Sequence, residues 1–427
     1  MLILAIETSC DETALALVRA SGTIKTGPST SSGRAQGLPK FEILKEEIAS
    51  QVDIHRPFGG VVPNLAKREH QKNLPLLLEQ IFGKERIAKG KGQNHKPHAI
   101  SHTLSLRDVD AIAVTVGPGL EPALWQGIVF AQELGKKYKK PVIGVNHLEG
   151  HLYSFLLPRE QKRIMNYELR IKGKEKFSGS IPNSQFLIPN STPIFPAVAL
   201  IVSGGHTILL SVKNIKSWKR LGETRDDAAG EAFDKVARIL KLPYPGGPEI
   251  QKLVEKLPKN WKDKINFPRP MLNNKDYDFS FSGLKTAVLY YMRDKGYSYS
   301  GIATGVKNKI LNPIPKTLLA SVAGAFSAAA TDVLVKKTMR AAADRKAKSV
   351  LLSGGVAANR MLRERLGREA GKNGMRFFVA EHKYNTDNAV MIAVAGYMNI
   401  LRKKKPARPK LGSEGGLKLE ADGLMSI

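Results

Sequence analysis

Two distant stretches of this chain repeat the same order of local signals, and that repetition constrains the fold more than any single motif. Residues 2–6 are apolar, 7–13 form a polar turn and 14–18 are apolar again, the pattern of a β-hairpin. Residues 197–202, 203–207 and 208–212 repeat it. Further along, an apolar strand at 110–116 ends in Gly117-Pro118-Gly119 ahead of a helical stretch. The strand at 349–352 ends in Ser353-Gly354-Gly355 ahead of another. Two half-chains built alike predict a duplicated α/β fold with its ligand between the halves. Gly-rich turns leading into helices let a phosphate reach backbone N–H groups and the positive helix end. The clearest helix is expected over 318–345, where Val322, Phe326, Ala329, Ala330 and Val333 share a face.

A chain of 427 residues is too long for one ordinary core and suits two lobes. The apolar start at Met1 to Ile6 reads as a core strand, not a signal or transit segment, and no uninterrupted apolar run approaches the ~20 residues that span a bilayer. A cytoplasmic protein with no membrane partner is expected. Cys10 is the sole cysteine, which excludes an intrachain disulfide and a multi-cysteine zinc site. The net charge of +29 points to a polyanionic partner, because each neutralised phosphate releases counterions. The charge is concentrated at 336–348, in the tail around 402–410, and at 159–176, which holds seven basic and three acidic residues. Three stretches read as inserted surface loops, at 83–107, 159–193 and 295–316. The basic stretch at 159–176 is a candidate for contacts with the phosphates of such a partner, and 401–427 reads as a flexible basic tail.

The chemistry concentrates in short motifs. His147 and His151 stand at i and i+4, so on a helix they share a face and can hold one metal. Asp387 is a candidate third ligand. Glu149 lies between the histidines and points away from them, whereas a zinc protease needs Glu directly after its first His. Asp11 and Glu12 lie in a turn crowded with carboxylates and hydroxyls, where they could act as bases or bind water or metal. The acidic run at Asp226 and Asp227 reads as a helix cap. The turn Tyr244-Pro245-Gly246-Gly247-Pro248 could approach a ligand closely.

These residues stand in longer blocks: IETSCDET (6–13), GGVVPNLAKREH (59–70), GPGL (117–120), NHLEGH (146–151), ALIVSGGHT (199–207), LGETRDDAAGEAFDKVARILKLPYPGGP (221–248), FPRPM (267–271), DFSFSGLKTAV (278–288), LLSGGVAANRMLRERL (351–366) and TDNAVMIAVAG (386–396). Together they resemble the universal tRNA threonylcarbamoyladenosine transferases, most closely the bacterial form, over 1–80, 108–158, 195–295 and 317–400. The resemblance implies an actin-like (ASKHA), duplicated ribonuclease-H-like α/β fold with the active site in the cleft. The first lobe would span 1–145, with 386–400 packing back on it, and the second 146–385. It implies a metal-dependent transfer of the threonylcarbamoyl group from threonylcarbamoyl-AMP to N6 of the adenosine 3′ to the anticodon, in tRNAs reading ANN codons.

Residue by residue, the resemblance implies metal ligation by His147, His151 and Asp387, and catalysis by Asp11 and Glu12. It implies adenylate binding by Ile201, Val202, Ser203, Gly204, Gly205, Asp234, Gly247 and Asn359. One divalent metal is expected, Fe2+ first, with Zn2+ or Mg2+ as alternatives. The implied partners are tRNA, an inactive paralogue of the same fold and a small ATPase. The chain departs from the family pattern at 121–126, 382–385 and 407–411, and in its three insertions, which bears on partner and tRNA docking. A carbamoyltransferase acting on a small-molecule amine or hydroxyl, a metallopeptidase and a non-catalytic scaffold are the competing readings.

Overall fold

In a computed structural model, the chain is described over residues 1–22, 38–83, 104–157, 194–258, 260–261, 264–297, 313–402, 410–411 and 417–418. The first sheet contains β1 (Leu2–Glu7), β2 (Glu12–Ser21), β3 (Lys40–Ser50), β4 (Ala111–Gly117) and β5 (Val142–Asn146), in the order β3-β2-β1-β4-β5. The second contains β6 (Ala197–Val202), β7 (Thr207–Asn214), β8 (Ser217–Glu223), β9 (Ser349–Ser353) and β10 (Arg376–Val379), in the order β10-β9-β6-β7-β8. Reversing the second list makes the two orders identical. The pairing also matches. Leu4 lies opposite Leu17 in an antiparallel pair and opposite Ile112 in a parallel one. Leu200 lies opposite Leu209 and Leu352 in the same two senses. This is the duplicated, actin-like α/β fold.

The central strands are buried on both faces, so they read as continuous apolar runs, not alternating ones. Leu2, Leu4 and Ile6 point to one side of the first sheet, into a core closed by α2 (Pro63–Phe82) and α3 (Glu121–Tyr138). Ile3 and Ala5 point to the other side, into a core shared with Ala197, Ala199 and Ile201 of the second sheet. Two helices occupy this space between the sheets: α4 (His147–Tyr153) and α10 (Ala389–Leu401). The far face of the second sheet, with Val198, Leu200 and Val202, is covered by α5 (Ala229–Ile239), α6 (Gly246–Val254), α7 (Ser282–Asp294), α8 (Lys316–Asp344) and α9 (Arg360–Lys372). A one-turn helix α1 (Val52–His55) follows β3.

α10 is buried from Ala389 to Asn399, as a helix between two sheets must be, and each side chain such as Ile392 contributes roughly 1.5–3 kcal/mol. It lies against β1, β2 and β5 of the first sheet and against α4. α8 is long and apolar enough to cross a bilayer, although charged ends interrupt it; 72% of its apolar window is buried inside the second lobe. It is a core helix.

Several details differ from the expectations. The hairpin turn is tighter than 7–13, because Glu7 ends β1 and Glu12 begins β2. Gly246 and Gly247 are not a free turn; they open α6. The Gly-rich turns after β4 and β9 are required first by packing within the chain. A Cβ on Gly119 would lie 2.6 Å from Ser9 O, and one on Gly354, at φ +90°, 2.3 Å from Val202 O. In each half the turn presses on the end of its own hairpin. Most of the three insertions, at 84–103, 158–193 and 298–312, lies outside the described residues, as does most of the tail. Within the tail, β11 (Lys410–Leu411) and β12 (Leu417–Lys418) pair antiparallel.

Candidate metal centre and cleft

β5 runs directly into α4, and Asn146 makes the junction. Its side chain accepts from Leu148 N at 2.9 Å and Glu149 N at 3.3 Å, capping the helix so that His147 is its first residue. Asn388 does the same for α10, accepting from Met391 N at 2.9 Å and donating to Thr386 O at 2.8 Å. Asp387 is thereby held just ahead of α10. The two caps aim His147, His151 and Asp387 at one point. Asp387 Oδ1 lies 3.3 Å from His147 Nε2 and 3.2 Å from His151 Nε2, and the three ligand atoms fall within 4.8 Å of one another.

The other side of His147 is also fixed. Its Nδ1 lies 3.1 Å from Glu7 Oε2 and 3.2 Å from Ser9 Oγ. Glu7 is fully buried and accepts from Thr115 Oγ1 and Ser9 N, each at 2.5 Å. A carboxylate behind the ligand nitrogen orients a metal-binding histidine and raises its basicity. Burial disfavours charge on His147, but Asp387 and Glu7 outweigh it and hold the imidazolium well above the usual range. Asp387 is held well below the usual carboxylate range, against its burial, by His147 and His151. His151 is pushed down by burial, which favours the neutral, ligating form. The proton on His147 stands where a cation would. Two imidazole nitrogens and one carboxylate, with a carboxylate behind, fit a divalent metal of the iron or zinc type.

Around this centre the cleft gathers other predicted groups. Burial, then Asp11 and Asp387, push Glu12 well above the carboxylate range, so it holds its proton beside Asp11. The same surroundings raise the Cys10 thiol, first by burial and then by Asp11, which leaves it a poor nucleophile. Ser203, Gly204 and Gly205 turn at the end of β6, closed by Ser203 N donating to His206 O at 2.8 Å. Ile201 and Val202 are buried in the strand itself and can offer only backbone. A Cβ on Gly204, Gly205 or Gly247 would meet no protein atom within 4 Å, so packing does not explain these glycines. Asp234 Oδ1 accepts from Gly246 N at 2.7 Å and so ties α5 to the start of α6. Burial raises its pKa despite the N–H groups of Gly246 and Gly247. Asn359 precedes α9 and lies across a cavity from Gln251 and Val254 of α6. It caps α9 through Leu362 N at 3.0 Å and lines a cavity of about 310 Å3 with Gln251, Val254, Ser327 and Arg360.

Sequence reasoning included Glu7 and Ser9 in the turn of carboxylates and hydroxyls at 7–13 that could serve a metal or act as bases, but gave them no position, and it missed Thr115 and His206. His206 is pushed down to about 4 by burial and then by His147 and His151, which places it beside the metal centre. Asp226 does not cap α5. It accepts from Phe281 N at 2.8 Å and from Ser280 and Ser282 Oγ, fixing the start of α7. Asp227 pairs with Lys235 at 2.6 Å and Lys285 at 2.8 Å. Glu149 is fully buried and paired with Arg402 at 3.1 Å, so it does not serve as a base beside the histidines.

Solved structures that align with the chain include component A of (R)-2-hydroxyglutaryl-CoA dehydratase from Acidaminococcus fermentans. It is 12% identical at a TM-score of 0.42, over 94% of this chain and 99% of that one. Full-length HypF is 12% identical at 0.47, over 94% and 46%. Sequence relatives are far closer. The tRNA N6-adenosine threonylcarbamoyltransferase of Thermosipho melanesiensis is 42% identical over 398 residues, 93% of this chain and 94% of the relative. That of Bacillus subtilis is 39% identical over 397 residues, 93% and 90%. The profile of this family matches residues 42–165 and 183–394, a span that contains His147, His151 and Asp387 and both Gly-rich turns of the second lobe. The chain belongs to the tRNA N6-adenosine threonylcarbamoyltransferase family.

Proposed function

We propose that this protein transfers the threonylcarbamoyl group of threonylcarbamoyl-AMP to N6 of the adenosine 3′ to the anticodon, in tRNAs reading ANN codons, in the cytoplasm. The observation that carries the reading is the convergence of His147, His151 and Asp387 beside an acidic turn and an open Gly-rich turn, in a chain of this family. His147, His151 and Asp387 would hold one divalent metal, Fe2+ first among candidates. Such a metal supplies Lewis acidity toward a substrate oxygen.

The chain's own residues do the remaining work. Gly204, Gly205 and Gly247 leave room for the adenylate phosphate against backbone N–H groups, with Ile201, Val202 and Ser203 supplying the strand end behind them. The N–H groups at the start of α6 favour an anion. Asp234 holds that helix start in place, and the adenosine half extends toward Asn359. The N6 amine attacks the carbamoyl carbonyl carbon; a C–N bond forms, the C–O bond to the phosphate breaks, and AMP leaves. The amine's lone pair is delocalised into the ring, so its proton needs an acceptor as the bond forms. Asp11 is our candidate acceptor, and Glu12, whose carboxyl burial pushes well above the usual range, would donate a hydrogen bond beside it. An inactive paralogue and a small ATPase would assist turnover.

Nucleoside mass spectrometry of tRNA from cells lacking their own transferase, with and without this chain, tests the reading. The modified adenosine should reappear with the chain. Its absence, with the protein folded and partners supplied, would reject the proposal. A peptidase or a small-molecule carbamoyltransferase would instead leave the tRNA unmodified.

A further inference from the structure

The first lobe sends a short strap across the cleft. Residues 56–60 follow α1, and both ends of the strap grip the opposite wall. Arg56 Nε donates to Tyr244 O at 3.0 Å, and Arg238 Nη2 donates to Gly59 O at 2.5 Å. Arg238 stands one helical turn from Asp234 on α5, and Tyr244 lies two residues before Gly246, whose N–H Asp234 holds. The base of the strap is fixed from within by Val62 N donating to the buried His55 Nδ1 at 3.3 Å. This turn is therefore pinned at both ends and its centre is placed at the rim of the site.

At that centre stands Phe58. It is 63% exposed, the most exposed large apolar side chain among the described residues. Gly59 and Gly60 follow it, so no side chain from those positions competes for the ring. Lys67 and Arg68, exposed in the first two turns of α2, are cations with no ion pair among the described residues. An exposed aromatic ring on a backbone-anchored turn, followed within ten residues by exposed cations, is an arrangement suited to single-stranded nucleic acid, because every base presents a π face.

We infer that Phe58 is a stacking platform for a base of the tRNA loop next to the reacting adenosine, holding the loop open while that adenosine enters the cleft. The neighbour, not the acceptor, is assigned because Phe58 lies on the rim and the metal centre lies inside. The inference rests on the transferase reading.

The test uses the full-length protein and an anticodon stem-loop RNA at fixed salt. Phe58→Ala and Phe58→Leu should each weaken RNA binding about tenfold, and Phe58→Tyr should bind as wild type does. Leu keeps apolar area without a π face, so its loss separates stacking from burial. The slope of log K against log salt should be unchanged, since no phosphate contact is removed. Adenine-nucleotide affinity should be unchanged in all three variants, which reports a folded cleft. On stem-loops with one abasic nucleotide beside the acceptor adenosine, at one of the two sides, wild type and Phe58→Ala should bind equally. Undiminished binding of the intact loop by Phe58→Ala would overturn the inference. So would an equal loss on both abasic loops, or loss of a complex with a protein partner at unchanged RNA affinity. Wild type that neither binds the loop nor modifies it would reject the transferase reading itself, before any variant is made.

Discussion

At the scale of single residues, the site depends on two carboxylates flanking one imidazole. His147 faces Asp387 with one nitrogen and Glu7 with the other. The double variant His147→Ala, His151→Ala should lose bound metal and transfer activity together, measured by elemental analysis and by tRNA modification. Full metal content in that variant would reject the assigned ligands. Glu46 on β3 offers a prediction away from the site. Burial, partly offset by Lys383, pushes it from 4.5 to about 7, and its Oε1 is buried without a hydrogen-bond partner among the described residues. Between those two values the unfolded chain has released this proton and the folded chain still holds it. Glu46 therefore makes stability fall as pH rises from about 4.5 to about 7, with no further contribution on either side. In Glu46→Gln the midpoint of thermal unfolding should decline less over that window than in wild type. Parallel curves would show that the carboxyl titrates normally.

At the scale of elements, glycines with similar sequence surroundings do opposite jobs. Gly354 is required by its own chain, since it has φ +90° and a Cβ would lie 2.3 Å from Val202 O. Gly355, one residue on, has open space around it, as Gly204 and Gly205 do. Gly354→Ala should destabilise the protein by roughly 2–4 kcal/mol in denaturant unfolding. Gly205→Val should leave unfolding cooperative and nearly unshifted while weakening adenine-nucleotide binding. The opposite pattern would invert the two roles.

The paired hairpins and the strand–Gly–helix units were legible in the sequence because central strands are continuous apolar runs. The edge strands β3 and β8 were not. Residues of β3 such as Glu42 and Lys45, and of β8 such as Lys219 and Arg220, are charged because edges face water. The i, i+4 spacing was enough to put both histidines on one helix face, and Asp387 could be named a candidate to join them; the three do cluster. That Glu7 lies behind His147 could not be read, because 140 positions separate them in the chain and only the pairing of β1 with β4, and of β4 with β5, closes that distance.

At the scale of the molecule, the two lobes touch in two ways. Between the sheets they share one apolar core through α4 and α10. At the cleft mouth they meet through Arg56 with Tyr244 and Arg238 with Gly59, contacts between guanidinium groups and backbone carbonyls. The core is the larger joint, burying whole apolar faces, whereas the mouth contacts are single hydrogen bonds at the surface. Arg238→Ala should change global stability by no more than about 1.5 kcal/mol, a single hydrogen bond's contribution. It should nevertheless weaken adenine-nucleotide binding several-fold, because the strap and the start of α6 are no longer held to each other. Equal nucleotide affinity in calorimetric titration of the two proteins would show that the strap does not steady the site.

The position of α10 has a consequence for how the protein comes into being. A chain emerging from the ribosome presents both sheets and both histidines before residues 387–401. Until that helix arrives, the core between the sheets around Ile3 and Ala5 has α4 and the second sheet but not α10, and the histidines lack the carboxylate that they meet in the folded chain. A product interrupted anywhere before Asp387 therefore has neither the closed core between the sheets nor the full cluster of His147, His151 and Asp387, and should be inert. Quality control and activity are tied to the same fifteen or so residues, so a cell should rarely accumulate a fragment that occupies metal or substrate without turning it over.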